Sequence, residues 1–227
     1  MGQNFLPDTV NQTLLFPPSL HDWLPEGHLA RFLVDVVSAL DLDAIYASYR
    51  DKDGRGQSAY APEMMVRLLL YGYATGVYSS RKIETRSYED VAFRYLAGNQ
   101  HPDHATLAEF RKRHLTALAG LFRQALLLCA KAGLVKLGHV AIDGTKIKAN
   151  ASKHKAMSYK RLTETGRAVY KMRKAIVEPV FGQIKERRGF RRFSLRGKQN
   201  VGGEWRLVCA VSNLLKLFRS GWTPETA

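Results

Sequence analysis

Between Pro62 and Gly76 the chain reads PEMMVRLLLYGYATG, and residues 64–74 are apolar on nearly every side, interrupted only by Arg67. A helix without a polar face cannot lie on a surface, so it predicts a buried central helix wrapped by others. Pro62 suits its first helical position and Gly76 its stop. Helices able to cover it are legible on both sides. Leu29, Phe32, Leu33, Val36, Val37 and Leu40 recur at i, i+3, i+4 and i+7, the spacing of one helical face. A short helix is expected over residues 43–49, and a long amphipathic one over residues 115–131, closed by Gly133. With 227 residues, 45% of them apolar, the chain can bury one good-sized core or two small ones.

The intervening residues read as short capped helices. Ser79 or Ser80 can cap RKIETR, Ser87 with Asp90 resembles a capping box for YEDVAFRYL, and Thr106 with Glu109 forms one for LAEFRKRH. Three such helices ending in Arg111, Lys112, Arg113 and His114 suit either a helix-turn-helix reader or ordinary bundle packing with a solvated basic face. His101, Asp103 and His104 could hint at zinc, but no further ligand set accompanies them. Residues 1–27, with four prolines and no periodicity, are expected to form an extended arm. Residues 50–58 form a polar loop.

Charge divides the chain sharply. Residues 1–144 carry 15 Lys+Arg against 15 Asp+Glu, whereas residues 145–227 carry 20 against 5, so the whole excess of +15 lies in the second part. A polyanionic partner follows, nucleic acid being the commonest. Residues 186–198 are the most basic, with Arg187, Arg188, Arg191, Arg192 and Arg196 interleaved by Phe190 and Phe193. That pattern suits contact with a DNA strand, or else a solvated loop anchored by two core phenylalanines. Helices are expected over residues 169–185, kinked at Pro179, and over residues 204–218. No apolar run reaches the roughly 18–20 residues of a membrane span, and no export signal is expected. Cys129 and Cys209 lie far apart inside apolar patterns, which predicts reduced thiols in a cytoplasmic protein.

Residues 139–151, HVAIDGTKIKANA, place Asp143 at the end of a short apolar run and follow it with period-two alternation. This reads as strand, and Asp-Gly between two short strands also suits a hairpin turn. A carboxylate at a strand end facing a basic segment also suits metal-dependent phosphodiester chemistry. Such sites commonly use two divalent ions about 4 Å apart, with oxygen ligands for a hard ion such as Mg²⁺. Glu178 is a second candidate ligand, with Lys185 two turns on as a phosphate contact; a salt bridge to Lys171 or Lys174 is the alternative for Glu178.

The segments VAIDGTKIKANAS and AIVEPVFGQIKERRGFRRFSLRG closely resemble transposases of bacterial insertion sequences, of the RNase H-like DDE class. Residues 28–133, including PEMMVRLLLYGYATGVYSSRKIE, resemble that family's helical leader domain, and EWRLVCAVSNLLKLF its last helix. The resemblance implies Asp143 as first catalytic acid and Glu178 as the catalytic Glu, together holding Mg²⁺ (or Mn²⁺). It also implies DNA contacts from a Tyr–Arg–Glu–Lys signature, here Tyr170, Arg173, Glu178 and Lys185. Tyr170 and Arg173 stand one position out of register, so Lys174 can take the arginine's place.

One departure is large. The family's second Asp lies between the other two acids, yet no Asp follows Asp143 in this sequence, and only 34 residues separate it from Glu178. The strands and helices of an RNase H-like core would need about 70 residues there. The chain therefore resembles the family with its middle removed, the join falling within residues 160–166. The expected fold is mainly α (α+β overall). It comprises the arm 1–27, a helical domain 28–135 able to fold alone, and a truncated RNase H-like domain 136–227 with one or two strands and two C-terminal helices. The expected function is that of a DNA-binding transposase acting on double-stranded DNA at terminal inverted repeats, defective in chemistry, with a homodimer as a further expectation. The alternatives are an enzyme whose site is completed by Asp90, Asp103, Glu164 or Glu186, and a non-enzymatic basic remnant that occupies transposon ends.

Overall fold

The computed structural model describes residues 19–50, 59–134 and 178–224. These are helical and contain no strand, so the described part is mainly α. The strands expected over residues 139–151 lie outside it. The elements are α1 (Leu29–Ser38), α2 (Asp43–Arg50), α3 (Pro62–Thr75), α4 (Ser80–Glu89), α5 (Val91–Leu96), α6 (His104–Arg113) and α7 (Leu115–Lys131). Near the C-terminus, α8 (Glu178–Gly182) runs into a π-helical turn (Gln183–Arg187), and α9 (Lys198–Arg219) follows.

Helix α3 is the buried centre that its composition requires. Met64, Met65, Val66, Tyr73 and residues 68–70 are all at most 4% exposed. It packs against α1, α5 and α9, and Tyr71 meets the Phe93 ring edge-on at 4.9 Å. Gly76 ends it with φ +82°. A Cβ there would also lie 2.7 Å from the carbonyl oxygen of Arg188, so the stop residue doubles as a seat for the basic loop. Part of the expected arm is folded: residues 19–27 form turns. Arg31 ties them down by donating to the carbonyls of His21 and Leu24, both at 2.6 Å.

The caps fall differently from their sequence signatures. Ser87 is not a cap but a buried residue of α4, whose hydroxyl donates to the Glu84 carbonyl at 2.7 Å. Asp90 caps α5 by itself, accepting from the N–H groups of Ala92 and Phe93. Likewise Asp103, not Thr106, opens α6. Its carboxylate accepts from the N–H groups of Ala105 and Thr106 at 2.9 Å and from the Thr106 hydroxyl at 2.6 Å. Each carboxylate reaches two orphan donors where a hydroxyl reaches one, and that sets the start.

Helix α9 begins at Lys198, six residues before the expected 204. Gly202 and Gly203 are poor helix formers, yet Gly203 is where α7 and α9 meet. A Cβ at that position would stand 2.7 Å from Leu115 Cγ. Further along, the Cys129 thiol donates to the Asn213 carbonyl at 3.6 Å, and Phe218 packs on Phe32 of α1 at 5.3 Å. One core therefore includes Leu33, Leu69 and Leu118 together with Leu207, Val208, Val211, Leu214 and Leu217. The packing crosses the 135/136 division expected from sequence. Five buried Leu and Val side chains are worth on the order of 10 kcal/mol at about 1.5–3 kcal/mol each, comparable with the whole stability of a domain. A fragment of residues 1–135 is accordingly predicted to lack a cooperative thermal transition by far-UV circular dichroism, whereas the full chain shows one. A sharp melt of the fragment would show that α9 is dispensable to the core.

Candidate nucleic-acid interface

The basic loop after the π-helical turn is built inward from its aromatic residues. Phe190 is completely buried, meeting Tyr78 edge-on at 4.9 Å and Phe193 edge-on at 5.3 Å. Phe193 in turn contacts Trp205, against which Phe181 lies nearly parallel at 5.8 Å. These rings anchor the loop and are not presented to bases, so the interleaved pattern reflects core packing. Their burial turns the intervening cations outward: Arg187, Arg191, Arg192 and Arg196 are exposed.

Arg188 is the exception among the five arginines. It is half-buried, donates to the Ser212 hydroxyl at 2.6 Å, and its carbonyl accepts from the Tyr78 hydroxyl at 2.6 Å. Burial draws its guanidinium below the usual arginine range, and nearby Arg219 pushes the same way. Arg191 is exposed but pairs with Glu186 at 2.5 Å, an exposed pair of small energetic worth. The ammonium of Lys185 lies 5.8 Å from the centre of the Phe181 ring, close enough for a cation–π contact. Glu178 is the first residue of α8. Asp143, Tyr170, Arg173 and Lys174 lie outside the described residues.

Beneath the loop lies a carboxylate that sequence reasoning overlooked. Glu204 is fully buried and accepts from the N–H groups of Ser194 (2.9 Å) and Leu195 (3.1 Å), and from the Tyr73 hydroxyl at 2.9 Å. Burial and then the charge of Glu204 push the Tyr73 hydroxyl well above the usual tyrosine range, so it stays a donor. Arg111, itself buried, donates to the Tyr73 oxygen at 3.4 Å and to the Tyr78 carbonyl at 3.0 Å. Arg111 thus leaves the basic face that suggested a helix-turn-helix reader, and His114 is buried as well. Of that segment Lys112 and Arg113 remain exposed, with Arg113 paired to Glu109 at 3.2 Å.

The acids weighed as substitute metal ligands have other partners. Asp90 and Asp103 are helix caps, Glu186 is paired with Arg191, and Glu164 lies outside the described residues. The zinc pattern is dispersed too. His104 pairs with Glu84 at 2.7 Å, while His101 stacks on Tyr88 at 3.9 Å. Among the described residues no group of three or more His, Cys, Asp or Glu could hold a metal ion, and no helix is long and apolar enough to cross a membrane.

Two of the hollows among the described residues bear on the cations above. The larger, about 750 Å³ between α2, α3 and α6, carries Asp103 and Glu109 as well as Arg113, so it has no cationic bias. The smaller, about 430 Å³, lies between the π-helical turn and α9; among the described residues it is lined by Arg187, Arg188, Lys216 and Arg219 and by no carboxylate. Lys216 and Arg219 were not singled out from sequence. Their signal was the spacing Ser212, Lys216, Arg219, which places all three on one face of α9.

Because Glu204 holds the loop backbone, Glu204→Ala is predicted to destabilise the protein by about 3 kcal/mol, leaving buried donors unpaired. Glu204→Gln, which keeps an acceptor oxygen, should lose less. Urea denaturation measures both, and an Ala variant within about 0.5 kcal/mol of the parent, the range of neutral surface changes, would show the network to be structurally idle.

Comparison with known families gives two matches along the chain. Residues 18–113 match the model described as Transposase domain (DUF772), and residues 128–218 match the Transposase DDE domain. No curated protein and no solved structure matches the chain. The first match ends at the last residue of α6, and the second runs from the end of α7 to Phe218 of α9. With both transposase models matched in succession along one chain, this protein belongs to the insertion-sequence transposases of the DDE class, a family whose work is transposition.

Proposed function

We propose that this transposase binds double-stranded DNA at the terminal inverted repeats of its element, through backbone phosphates, and occupies those ends without cutting them. The observation that carries the binding is the outward set Arg191, Arg192 and Arg196 on a loop whose backbone is pinned by Glu204 and anchored by the buried Phe190. A preordered basic loop loses little conformational freedom on meeting a phosphate chain, and phosphate contact needs cations without base readout. Arg188 is not a primary contact in this reading, since its guanidinium is held by Ser212. Tyr170, Arg173, Lys174 and Lys185 are assigned to the DNA by their place in the family's signature. A second copy of the chain on the paired ends, and a cytoplasmic setting, belong to the same reading.

The lack of cutting is inferred from the acids. DDE transposases use a divalent metal; in this chain Asp143 and Glu178 would hold Mg²⁺ (or Mn²⁺), which when bound activates the attacking oxygen and stabilises the leaving one. Two ions need a shared carboxylate to relieve their repulsion and further acids apiece. No Asp follows Asp143, and Asp90, Asp103 and Glu186 are engaged as caps or in an ion pair. With Asp143 and Glu178 the only acids at the family's positions, the donor set is too small for the pair of ions, which fits an internal deletion in the catalytic domain.

Two measurements test this reading. Replacing Arg191, Arg192 and Arg196 together by Gln should weaken duplex binding and reduce the slope of log affinity against log salt by up to about one unit for each phosphate no longer engaged; an unchanged slope removes the loop from the interface. In Mg²⁺ or Mn²⁺, DNA carrying the cognate ends should remain intact. Nicking at the ends that disappears in both Asp143→Ala and Glu178→Ala would overturn the non-cutting assignment.

A further inference from the structure

The cleft between the π-helical turn and α9 is not accounted for by the loop or by the acids. Its α9 wall presents Ser212, Lys216 and Arg219 at i, i+4 and i+7, and its other wall presents Gln183 and Arg187, with Arg188 at the base. The cations there are oriented by neutral acceptors. Arg188 donates to the Ser212 hydroxyl at 2.6 Å, and Arg219 to the Gln183 side-chain oxygen at 3.4 Å. Glu186 belongs to the same turn but does not line the cleft, and it pairs with Arg191 instead. Among the described residues, four positive side chains therefore share a concavity lined by no carboxylate. Its partly apolar walls, with Ala74, Val180 and Leu215, strengthen the repulsion among them, because a lower local dielectric screens charge less than water. An anion seated between the walls converts that repulsion into attraction.

The size and donor geometry select the anion. A hollow of about 430 Å³ is far larger than a halide needs, and guanidinium forks match the paired oxygens of a phosphate. We propose that this cleft seats a backbone phosphate of the bound DNA strand, contacted by Lys216 and Arg219 of α9 together with Arg187. The proposal rests on the DNA-binding reading above and adds a contact surface on α9, apart from the loop arginines. The two surfaces are connected through the chain itself, since Arg187 ends the π-helical turn that feeds the loop.

A structural role for the same cations makes a different prediction. Lys216 and Arg219 lie in the last turn of α9, where positive charge also favours the helix macrodipole. The experiment is a salt series of fluorescence anisotropy titrations with the full chain and a short mixed-sequence duplex. The double variant Lys216→Gln/Arg219→Gln should reduce the slope of log affinity against log salt by about one and weaken binding roughly tenfold at 0.1 M salt. The charge-preserving Lys216→Arg/Arg219→Lys should keep the parent slope. Asn213→Asp places a carboxylate in the cleft while leaving its cations in place, so it should weaken binding several-fold; it decides the matter if the double variant fails to fold. A double variant that melts lower yet keeps the parent slope, or an Asn213→Asp that binds as the parent does, overturns the cleft while leaving the DNA-binding reading intact. A parent protein with no salt-dependent duplex binding overturns both.

Discussion

A carboxylate at zero exposure has to be satisfied by hydrogen bonds, and the described structure is arranged to satisfy Glu204. Two of its partners are backbone N–H groups of the basic loop, and the third is the hydroxyl of Tyr73 on the central helix, 131 residues away in sequence. Arg111 joins through the same hydroxyl, bringing a buried positive charge toward the buried negative one. A single acid thus ties α3, α6, the loop and α9 together. Removing any partner leaves a charge or dipole stranded in a medium that penalises it heavily, so the geometry of the loop is inherited from the core.

That dependence explains how a highly basic segment keeps a defined shape. Exposed arginines repel one another and contribute little to stability. Order comes from underneath: Phe190 and Phe193 packed among Tyr78 and Trp205, the Arg188 carbonyl held by Tyr78, and Gly76 leaving room for that carbonyl. The α3 stop is therefore also part of the scaffold beneath the basic loop. Between the two family matches the molecule is also joined, because α7 packs on α9 through Leu115 and Gly203. The fold treats the leader helices and the C-terminal helix as one core, although the charge distribution divides them.

Much of the helical framework was legible in the residues alone. The all-round apolar character of residues 64–74, the stripe from Leu29 to Leu40, Gly76 as a stop and the limits of α7 all follow from spacings of three to four residues. The transposase family and the shortage of acids after Asp143 are likewise properties of the sequence. Cap positions were less legible, because Ser87 and Asp90, or Asp103 and Thr106, are all acceptable capping residues and only the local backbone chooses between them.

What the tertiary structure alone decided is the direction in which each charged or aromatic residue faces. Arg111 and Arg188 read as solvent cations but turn inward, because Tyr73, Tyr78 and Ser212 wait there as partners. Phe190 suited either a strand contact or a core anchor, and it closes the core. Glu204 had no distinguishing neighbour in sequence, and Lys216 and Arg219 became a site only when the π-helical turn came opposite them. The sequence determined the helices, the family and the net charge, since these depend on composition and on neighbours within about one turn. It could not determine which charges are buried, since that depends on partners far along the chain and on the free energy of leaving them unpaired.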